Sequence, residues 1–202
     1  MSADVRFQHF VESLLAGDRP RCFALVLEWE QDGMDDETLY CDILMPAMSQ
    51  IGKEWEANSE GIVTEHVATQ IVKQILAHRA FHTASSEADG RTAMVGCVPG
   101  EHHDIVSTML ANVLERDGWR VLNYGASVPI YDLVQSATAI KPDLLCFTMK
   151  SIASLVETET LFRELRSALP SAKFMLGGPA MPGVRAVLSP YCLLYTSPSP
   201  RD

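Results

Sequence analysis

The spacing of hydrophobic residues along the chain changes once, near residue 90. Up to residue 85 the apolar residues recur at helical spacing, which predicts a four-helix bundle over 1–85. The four helices are expected at 5–17, 20–33, 35–55 and 61–82. Pro20 and Gly33 fit the usual preference for proline at a helix start and glycine after its end. Pro46 is expected to bend the third helix.

The fourth helix carries one apolar stripe, formed by positions 63, 67, 71, 72, 75 and 76. Such a stripe is typical of a helix that packs one face on a core.

After the polar stretch 83–91, short β-rich runs alternate with helical segments. The strands are expected at 92–98, 119–125, 143–149 and 173–178. This alternation predicts right-handed βαβ units and a flavodoxin-like, Rossmann-like parallel sheet over 92–191. A five-stranded sheet of this kind needs one more strand and helix, so we expect the domain to be truncated at its C-terminus.

The last eleven residues, "CLLYTSPSPRD", break the preceding pattern and are rich in Pro and Ser. We expect 192–202 to be a non-native or disordered tail, with no functional residue after about Tyr191.

The composition argues against several classes of protein. The chain has 202 residues and a formal net charge of −10, with no basic run, which disfavours direct binding to nucleic acid. No apolar run is long enough to span a bilayer, and the N-terminus lacks the layout of a signal peptide. The five cysteines show no CxxC pairing, so we expect buried thiols in a cytoplasmic protein.

Four polar or glycine features fall at the carboxyl ends of the predicted strands. Glu101–Asp104 follow the first strand, Gly125 ends the second, Thr148 the third and Gly177–Gly178 the fourth. Ligands on open parallel sheets bind at this edge. Taken singly, each feature also has an ordinary explanation, as a solvated histidine at a helix start, a cap or a turn.

The spacing of these features is the stronger observation. Forty-one residues separate Val106 from Thr148, and twenty-six separate Lys150 from Gly177. Cobalamin-binding domains carry Asp-x-His-x-x-Gly, then forty-one residues, Ser-x-Leu, then twenty-six to twenty-eight residues and Gly-Gly. Over about 92–185 the chain therefore resembles that family.

The resemblance implies that His103 is the lower axial cobalt ligand, as an imidazole nitrogen suits such a metal. Glu101 would orient the ring through its other nitrogen, and Asp104 could take that place. His102 would point elsewhere, as a solvent-facing histidine. Gly125 joins the cofactor-binding set because it ends the second strand at the same edge.

In the family, the nucleotide tail of the cofactor enters a slot beside the sheet. Thr148 would supply a hydroxyl there, and Gly177 and Gly178 would leave room for the tail. Val106 stands where the family has glycine and adds bulk near this slot. Lys150 stands in place of leucine, and Glu101 in place of aspartate; the second change is seen in the light-sensing branch.

The helical half contains Trp55, then nine residues, then Glu65-His66. By spacing alone, Trp55 packs at a helix end and the other two form a solvated face. The pattern nevertheless resembles the signature of the adenosylcobalamin photoreceptor domain. That resemblance places Trp55 over the upper corrin face, Glu65 on the ribose and His66 in the same space. Glu56 stands where the best-known repressors of this type have a histidine that captures cobalt in the light.

The leading expectation is therefore a non-enzymatic light sensor that holds adenosylcobalamin between bundle and sheet and signals to a partner regulatory protein. Breakage of the cobalt–carbon bond would change the domain arrangement. No DNA-binding domain is expected within 1–85, and a homo-oligomer is compatible with the sequence. One alternative is a corrinoid protein that carries methyl groups on methylcobalamin, although Trp55 would cover the face that such a carrier keeps open. The other is an interaction module without cofactor.

Overall fold

The structure, a computed structural model, describes residues 3–57, 61–83, 89–191 and 194–195. The chain divides into two compact units, Met1–His82 and Thr83–Asp202. The first unit is helical, and the second is a parallel sheet with helices. The predicted fold class is confirmed.

The first unit contains the helical runs that the sequence predicts. They are α1 (Ala3–Leu15), α2 (Arg19–Gln31), α3 (Asp36–Thr38), α4 (Met45–Ala57) and α5 (Ile62–Thr83). Aspartates cap two of the helix starts. Asp18 accepts a hydrogen bond from the N–H of Arg21 at 3.0 Å, and Asp35 accepts one from the N–H of Thr38 at 2.8 Å. These side chains satisfy backbone donors that a first helical turn leaves without partners.

The third predicted helix is interrupted by a wider turn. Leu39–Leu44 are π-helical and join α3 to α4, and the N–H of Met45 bonds to the carbonyl of Tyr40. Pro46 follows immediately and has no N–H to donate, so it cannot continue a regular hydrogen-bond ladder. The irregularity that Pro46 predicts therefore takes the form of a π-helical segment just before it.

The core of the first unit is made by apolar side chains from α1, α2, the π-helical segment, α4 and α5. The largest of those that are fully buried are Phe10, Leu14, Leu25, Leu39, Leu44, Ile75 and Leu76. In α5 the predicted apolar stripe is buried only in its second half. Val63 and Val67 are 70% and 40% exposed, so the expectation that they face the core is wrong.

A buried ion cluster links three segments of the helical unit. The Nε of Arg79 on α5 donates to Asp36 Oδ1 at 2.8 Å, and its Nη1 lies 2.8 Å from Glu30 Oε1 on α2. Asp36 is 1% exposed. Burial disfavours the charge on Arg79, yet the two carboxylates raise its pKa above the ordinary value. The guanidinium therefore stabilises a carboxylate that water cannot reach.

We expect Arg79→Ala to lower the free energy of unfolding by about 3–5 kcal/mol, because it leaves the charges of the buried Asp36 and the half-buried Glu30 without this guanidinium. Chemical denaturation of the full chain measures the loss. Arg6→Ala is the matched control, since Arg6 pairs with Asp32 at the surface and should cost about 1 kcal/mol or less. Equal losses in the two variants would contradict the assignment of a buried cluster.

The second unit is a parallel sheet with the strand order β2-β1-β3-β4-β5. Its strands are β1 (Thr92–Cys97), β2 (Arg120–Gly125), β3 (Leu144–Thr148), β4 (Lys173–Gly177) and β5 (Leu194–Tyr195). Its helices are α6 (Ile105–Arg116), α7 (Ile130–Ile140), α8 (Leu155–Ala168) and α9 (Met181–Leu188). This is the flavodoxin-like order, whose switch point lies between β1 and β3.

The two faces of the sheet have separate cores. One joins Ala93 and Val95 of β1 to Ala111 of α6. The other joins Met94 of β1 to side chains of α7, α8 and α9, with the rings of Phe147, Phe162 and Phe174 in tilted contacts at its centre. The alternation along β1 thus sends successive side chains to opposite cores.

The fifth strand lies in a segment where the sequence predicts no strand. Leu194 pairs with Met175 and Tyr195 with Leu176 on β4. An edge strand offers free N–H and C=O groups that a short segment can join whatever its side chains. The rest of the expected tail, 192–193 and 196–202, falls outside the described residues.

Gly178, just after β4, touches the backbone that follows β3. It has a φ of 119°, and a Cβ on it would lie 2.4 Å from the carbonyl oxygen of Met149. The N–H of Met149 in turn donates to the carbonyl of Gly177 at 2.9 Å. Only glycine permits both this backbone conformation and this approach.

We expect Gly178→Ala to destabilise the chain by about 3 kcal/mol or more, through the disfavoured φ and the collision with Met149. Gly183→Ala, within α9, is the control. A Cβ at position 183 would contact only Ile152 Cγ2, at 3.4 Å. That change should be neutral or stabilise by about 0.5–1 kcal/mol. Denaturant unfolding of both variants measures the difference, and a tolerated Gly178→Ala would show that the loops can separate.

The cysteines follow the predicted pattern with one exception. Cys22, Cys97 and Cys146 are buried, and burial raises the pKa of Cys22 to about 11 and that of Cys146 to about 12. Cys41, in the π-helical segment, is exposed, so the expectation of a buried thiol is wrong there. Cys192 falls outside the described residues. No helix in the described part of the chain is long and apolar enough to cross a membrane.

Candidate functional site

The predicted site residues of the second unit lie at the carboxyl ends of β1, β2, β3 and β4, which form one edge of the parallel sheet. The loop after β1 carries Glu101–Asp104 and leads into α6. Because neighbouring parallel strands end together, the loops after β2 and β3 lie beside it.

Glu101 is the hydrogen-bond centre of this edge. Its side chain is 4% exposed, and Oε1 accepts the N–H groups of His102 at 2.9 Å and His103 at 3.1 Å. Its Oε2 accepts the N–H of Lys150, beyond β3, at 2.9 Å. Burial opposes ionisation, but the bonds from His103 and Lys150 lower the pKa of Glu101 below its ordinary value. The carboxylate therefore stays charged and ties two loops together.

His103 presents an exposed ring with one nitrogen already fixed. Nδ1 pairs with Glu101 Oε1, while 53% of the side chain is exposed. An ionised carboxylate can only accept, so in the neutral ring Nδ1 carries the proton and Nε2 keeps its lone pair. This is the arrangement by which a carboxylate prepares a histidine to ligate a metal through its other nitrogen.

His102 is also exposed, and it has a partner that the sequence did not indicate. Its Nδ1 lies 2.6 Å from the hydroxyl of Ser127, in the loop between β2 and α7. Ser127 has a φ of 59° and lies two residues after Gly125, which has a φ of 70°. The sequence indicates that the loop after β2 lies at the ligand-binding edge of the sheet. It contains no side-chain pattern that would identify Ser127 within that loop.

Asp104 stands at the start of α6 rather than on the histidine. Its carbonyl accepts the hydroxyl groups of Ser107 and Thr108, each at 2.9 Å. Its Oδ2 faces Gly125, 3.7 Å from where a Cβ would stand there. Val106, in the first turn of α6, is half-buried. Glu101, and not Asp104, therefore makes the contact that orients the ring of His103.

Thr148 ends β3 as a buried side chain, and its hydroxyl donates to Cys97 Sγ at 3.5 Å. Gly177 is buried at the end of β4, and Gly178 follows it against Met149. These residues lie beside one another at the β3–β4 edge, as the register of Thr148 with Gly177 shows.

The predicted residues of the helical unit are described in part. The side chain of Trp55 falls outside the described residues, although its backbone belongs to α4. Glu65 Oε2 lies 3.6 Å from Nε2 of the exposed His66, and Oε1 accepts the hydroxyl of Thr69 at 3.4 Å. A shallow hollow of about 580 Å³ lies along the first half of α5. It includes His66 and the exposed side chains of Ile62, Val63 and Val67.

The described residues contain no group of three or more His, Cys, Asp or Glu side chains that could hold a bare metal ion. One oriented imidazole suits a metal that arrives with its other ligands, as cobalt does in a corrin ring. Models of B12 binding domains match residues 91–185 and residues 6–79. Each of the two units thus matches a B12 binding domain, and the chain is a cobalamin-binding protein.

This cobalamin-binding protein is similar to proteins of two kinds. It is 28% identical over 181 residues to the HTH-type transcriptional repressor CarH of Myxococcus xanthus, across 87% of this chain and 60% of the repressor. The chain therefore spans less than two thirds of that repressor's length. It is 24% identical over 157 residues to trimethylamine corrinoid protein 1 of Methanosarcina acetivorans, across 72% of this chain and 70% of that protein.

The fold of the B12-binding chain also has a solved counterpart. The Methanosarcina barkeri monomethylamine corrinoid protein superposes with a TM-score of 0.81 at 16% identity, over 97% of this chain and 94% of that one. At this identity the likeness concerns the fold alone.

We expect Glu101→Ala to cost about 2–4 kcal/mol of unfolding free energy, because backbone donors in two loops lose a buried charged acceptor. His103→Ala should cost about 1 kcal/mol or less, since the ring is largely exposed. Urea denaturation of the cofactor-free chain checks both values. A large loss in His103→Ala would show that the ring serves stability rather than ligation.

Proposed function

We propose that this protein is a cobalamin-binding light sensor that regulates a partner protein, with adenosylcobalamin held between the helical bundle and the α/β domain. The observation that carries the proposal is the Glu101–His103 pair, an exposed imidazole whose Nδ1 is held by a buried carboxylate. When bound, adenosylcobalamin supplies a cobalt–carbon bond that light breaks.

His103 is proposed as the lower axial ligand through Nε2. Glu101 keeps the ring in the required tautomer, and its bond to the N–H of Lys150 fixes it against the loop after β3. Asp104 holds the start of α6 and leaves the ring of His103 to Glu101.

Thr148, Gly177 and Gly178 are proposed to border the slot for the nucleotide tail, with Gly125 at the neighbouring strand end. The tight contact between Gly178 and Met149 supports this assignment because it keeps the β3 and β4 loops at a fixed separation. Val106 narrows the same slot from the first turn of α6.

In the helical unit, Trp55, Glu65 and His66 are proposed to line the upper face of the cofactor, where adenosyl lies. The exposed apolar residues of α5 beside His66, including Val63, support this role, since an apolar surface of this kind favours contact with a ring system. On loss of the adenosyl contact, the bundle is inferred to change its arrangement against the α/β domain and to signal to a partner regulatory protein.

A second candidate is a corrinoid protein that carries methyl groups on methylcobalamin for a methyltransferase. Its support is the match to trimethylamine corrinoid protein 1, which extends over 70% of that protein. The two candidates share His103 and differ in the upper face, where a carrier needs access to a methyl donor and acceptor. Both are binding roles, and neither requires the chain itself to be a catalyst.

The test is reconstitution of the full chain with adenosylcobalamin in the dark, followed by absorbance spectra before and after green illumination. A sensor binds the cofactor and changes its spectrum on illumination. His103→Ala should weaken binding by about tenfold or more and alter the dark spectrum, because the axial nitrogen is lost.

Trp55→Ala separates the two candidates. In a sensor it should impair retention of adenosylcobalamin, whereas a methyl carrier should tolerate it and bind methylcobalamin equally well. An unchanged spectrum in His103→Ala would exclude His103 as the ligand, and a light-insensitive wild-type complex would exclude the sensor.

A further inference from the structure

Two neighbouring imidazoles, His102 and His103, are exposed at the same loop, yet the proposed function uses only one of them. Each ring is held through Nδ1, His103 by the carboxylate of Glu101 and His102 by the hydroxyl of Ser127. Both rings therefore turn Nε2 away from their partners. Neutral imidazole is a common metal ligand, so two such rings side by side compete unless something distinguishes them.

The two partners differ in what a hydrogen bond to them requires. A carboxylate without a proton only accepts, so it needs a proton on Nδ1 and leaves a lone pair on Nε2. A hydroxyl can donate. When Ser127 donates to Nδ1 of His102, the proton of the neutral ring sits on Nε2, and that nitrogen has no lone pair for a metal.

The backbone at Ser127 indicates that this contact is built into the loop. Ser127 has a φ of 59°, a left-handed conformation that residues other than glycine rarely adopt. Such a strained residue persists only where its surroundings hold it. Here the conformation places the hydroxyl 2.6 Å from His102 across two loops.

We propose that Ser127 is a positioning residue that selects His103 as the cobalt ligand, by donating to Nδ1 of His102 and keeping the proton of that ring on Nε2. The inference rests on the proposed function, because it concerns the choice of ligand at the same site. It assigns His102 a defined role as an imidazole kept unable to ligate.

The first test needs no cofactor. In the full chain labelled with nitrogen-15 histidine, long-range proton–nitrogen NMR reports which nitrogen of a neutral ring carries the proton. Spectra of His102→Ala and His103→Ala assign the signals. We expect the proton on Nε2 in His102 and on Nδ1 in His103. A proton on Nδ1 of His102 overturns the proposal.

Ser127→Asp is the informative variant, because aspartate only accepts and is among the residues that tolerate positive φ. It should move the proton of His102 to Nδ1, so that His102 copies the arrangement of His103. A His102 proton that stays on Nε2 in this variant would show that residue 127 does not set the tautomer. Circular dichroism and thermal melting confirm that the variant folds.

The second test loads the labelled chain with cob(II)alamin in the dark and records electron paramagnetic resonance. A histidine nitrogen-15 on cobalt gives two-line splitting, whereas the cofactor's own nitrogen-14 base gives three lines. The wild type should show two lines, and His103→Ala should lose them. Adding Ser127→Asp to His103→Ala should restore two lines, and adding His102→Ala to that pair should abolish them again.

Two results would overturn the selection by Ser127. One is a two-line signal that survives in His103→Ala and disappears only when His102 is also removed. The other is failure of Ser127→Asp to restore the signal in the His103→Ala background. If the wild type itself shows no histidine nitrogen, the proposed function fails, and the NMR measurement alone still reports whether Ser127 sets the tautomer of His102.

Discussion

The carboxylate of Glu101 is the interaction on which the arrangement of the site depends. A charge buried to this extent is costly unless donors surround it, and Glu101 has them in two loops and one ring. The result is a rigid bridge between the end of β1 and the end of β3. His103 takes its orientation from that bridge, so the direction of its exposed ring is a property of the sheet edge rather than of one loop.

Much of this could be predicted because the relevant signals are periodic or depend on spacing. The change from helical to alternating pattern separates the two units, and parallel strands bring their carboxyl ends to one edge. The intervals from Val106 to Thr148 and from Lys150 to Gly177 then indicate the cofactor class. The N–H of Lys150 could not be predicted as a partner of Glu101, since every residue except proline has such a donor. Ser127 was missed because its role depends on a left-handed backbone conformation.

Other predictions failed for related reasons. Periodicity shows which residues of α5 share a face, but it does not show how far along the helix that face is covered, and Val63 and Val67 are exposed. The lack of paired cysteines led to the expectation of buried thiols, whereas Cys41, in the π-helical segment, is exposed. The pairing of Leu194–Tyr195 uses backbone groups, which leave no mark on the side-chain pattern.

The π-helical segment Leu39–Leu44 also sets the rotational phase of α4, the helix that begins directly after it. A π turn holds a surplus residue, and each residue of an α-helix turns the chain by about 100° about its axis. Deleting one residue there would remove the wide turn but swing Ala47 and Ile51, which are buried, away from the directions they now face. The length of this six-residue segment thus helps to determine which side of α4 faces inward.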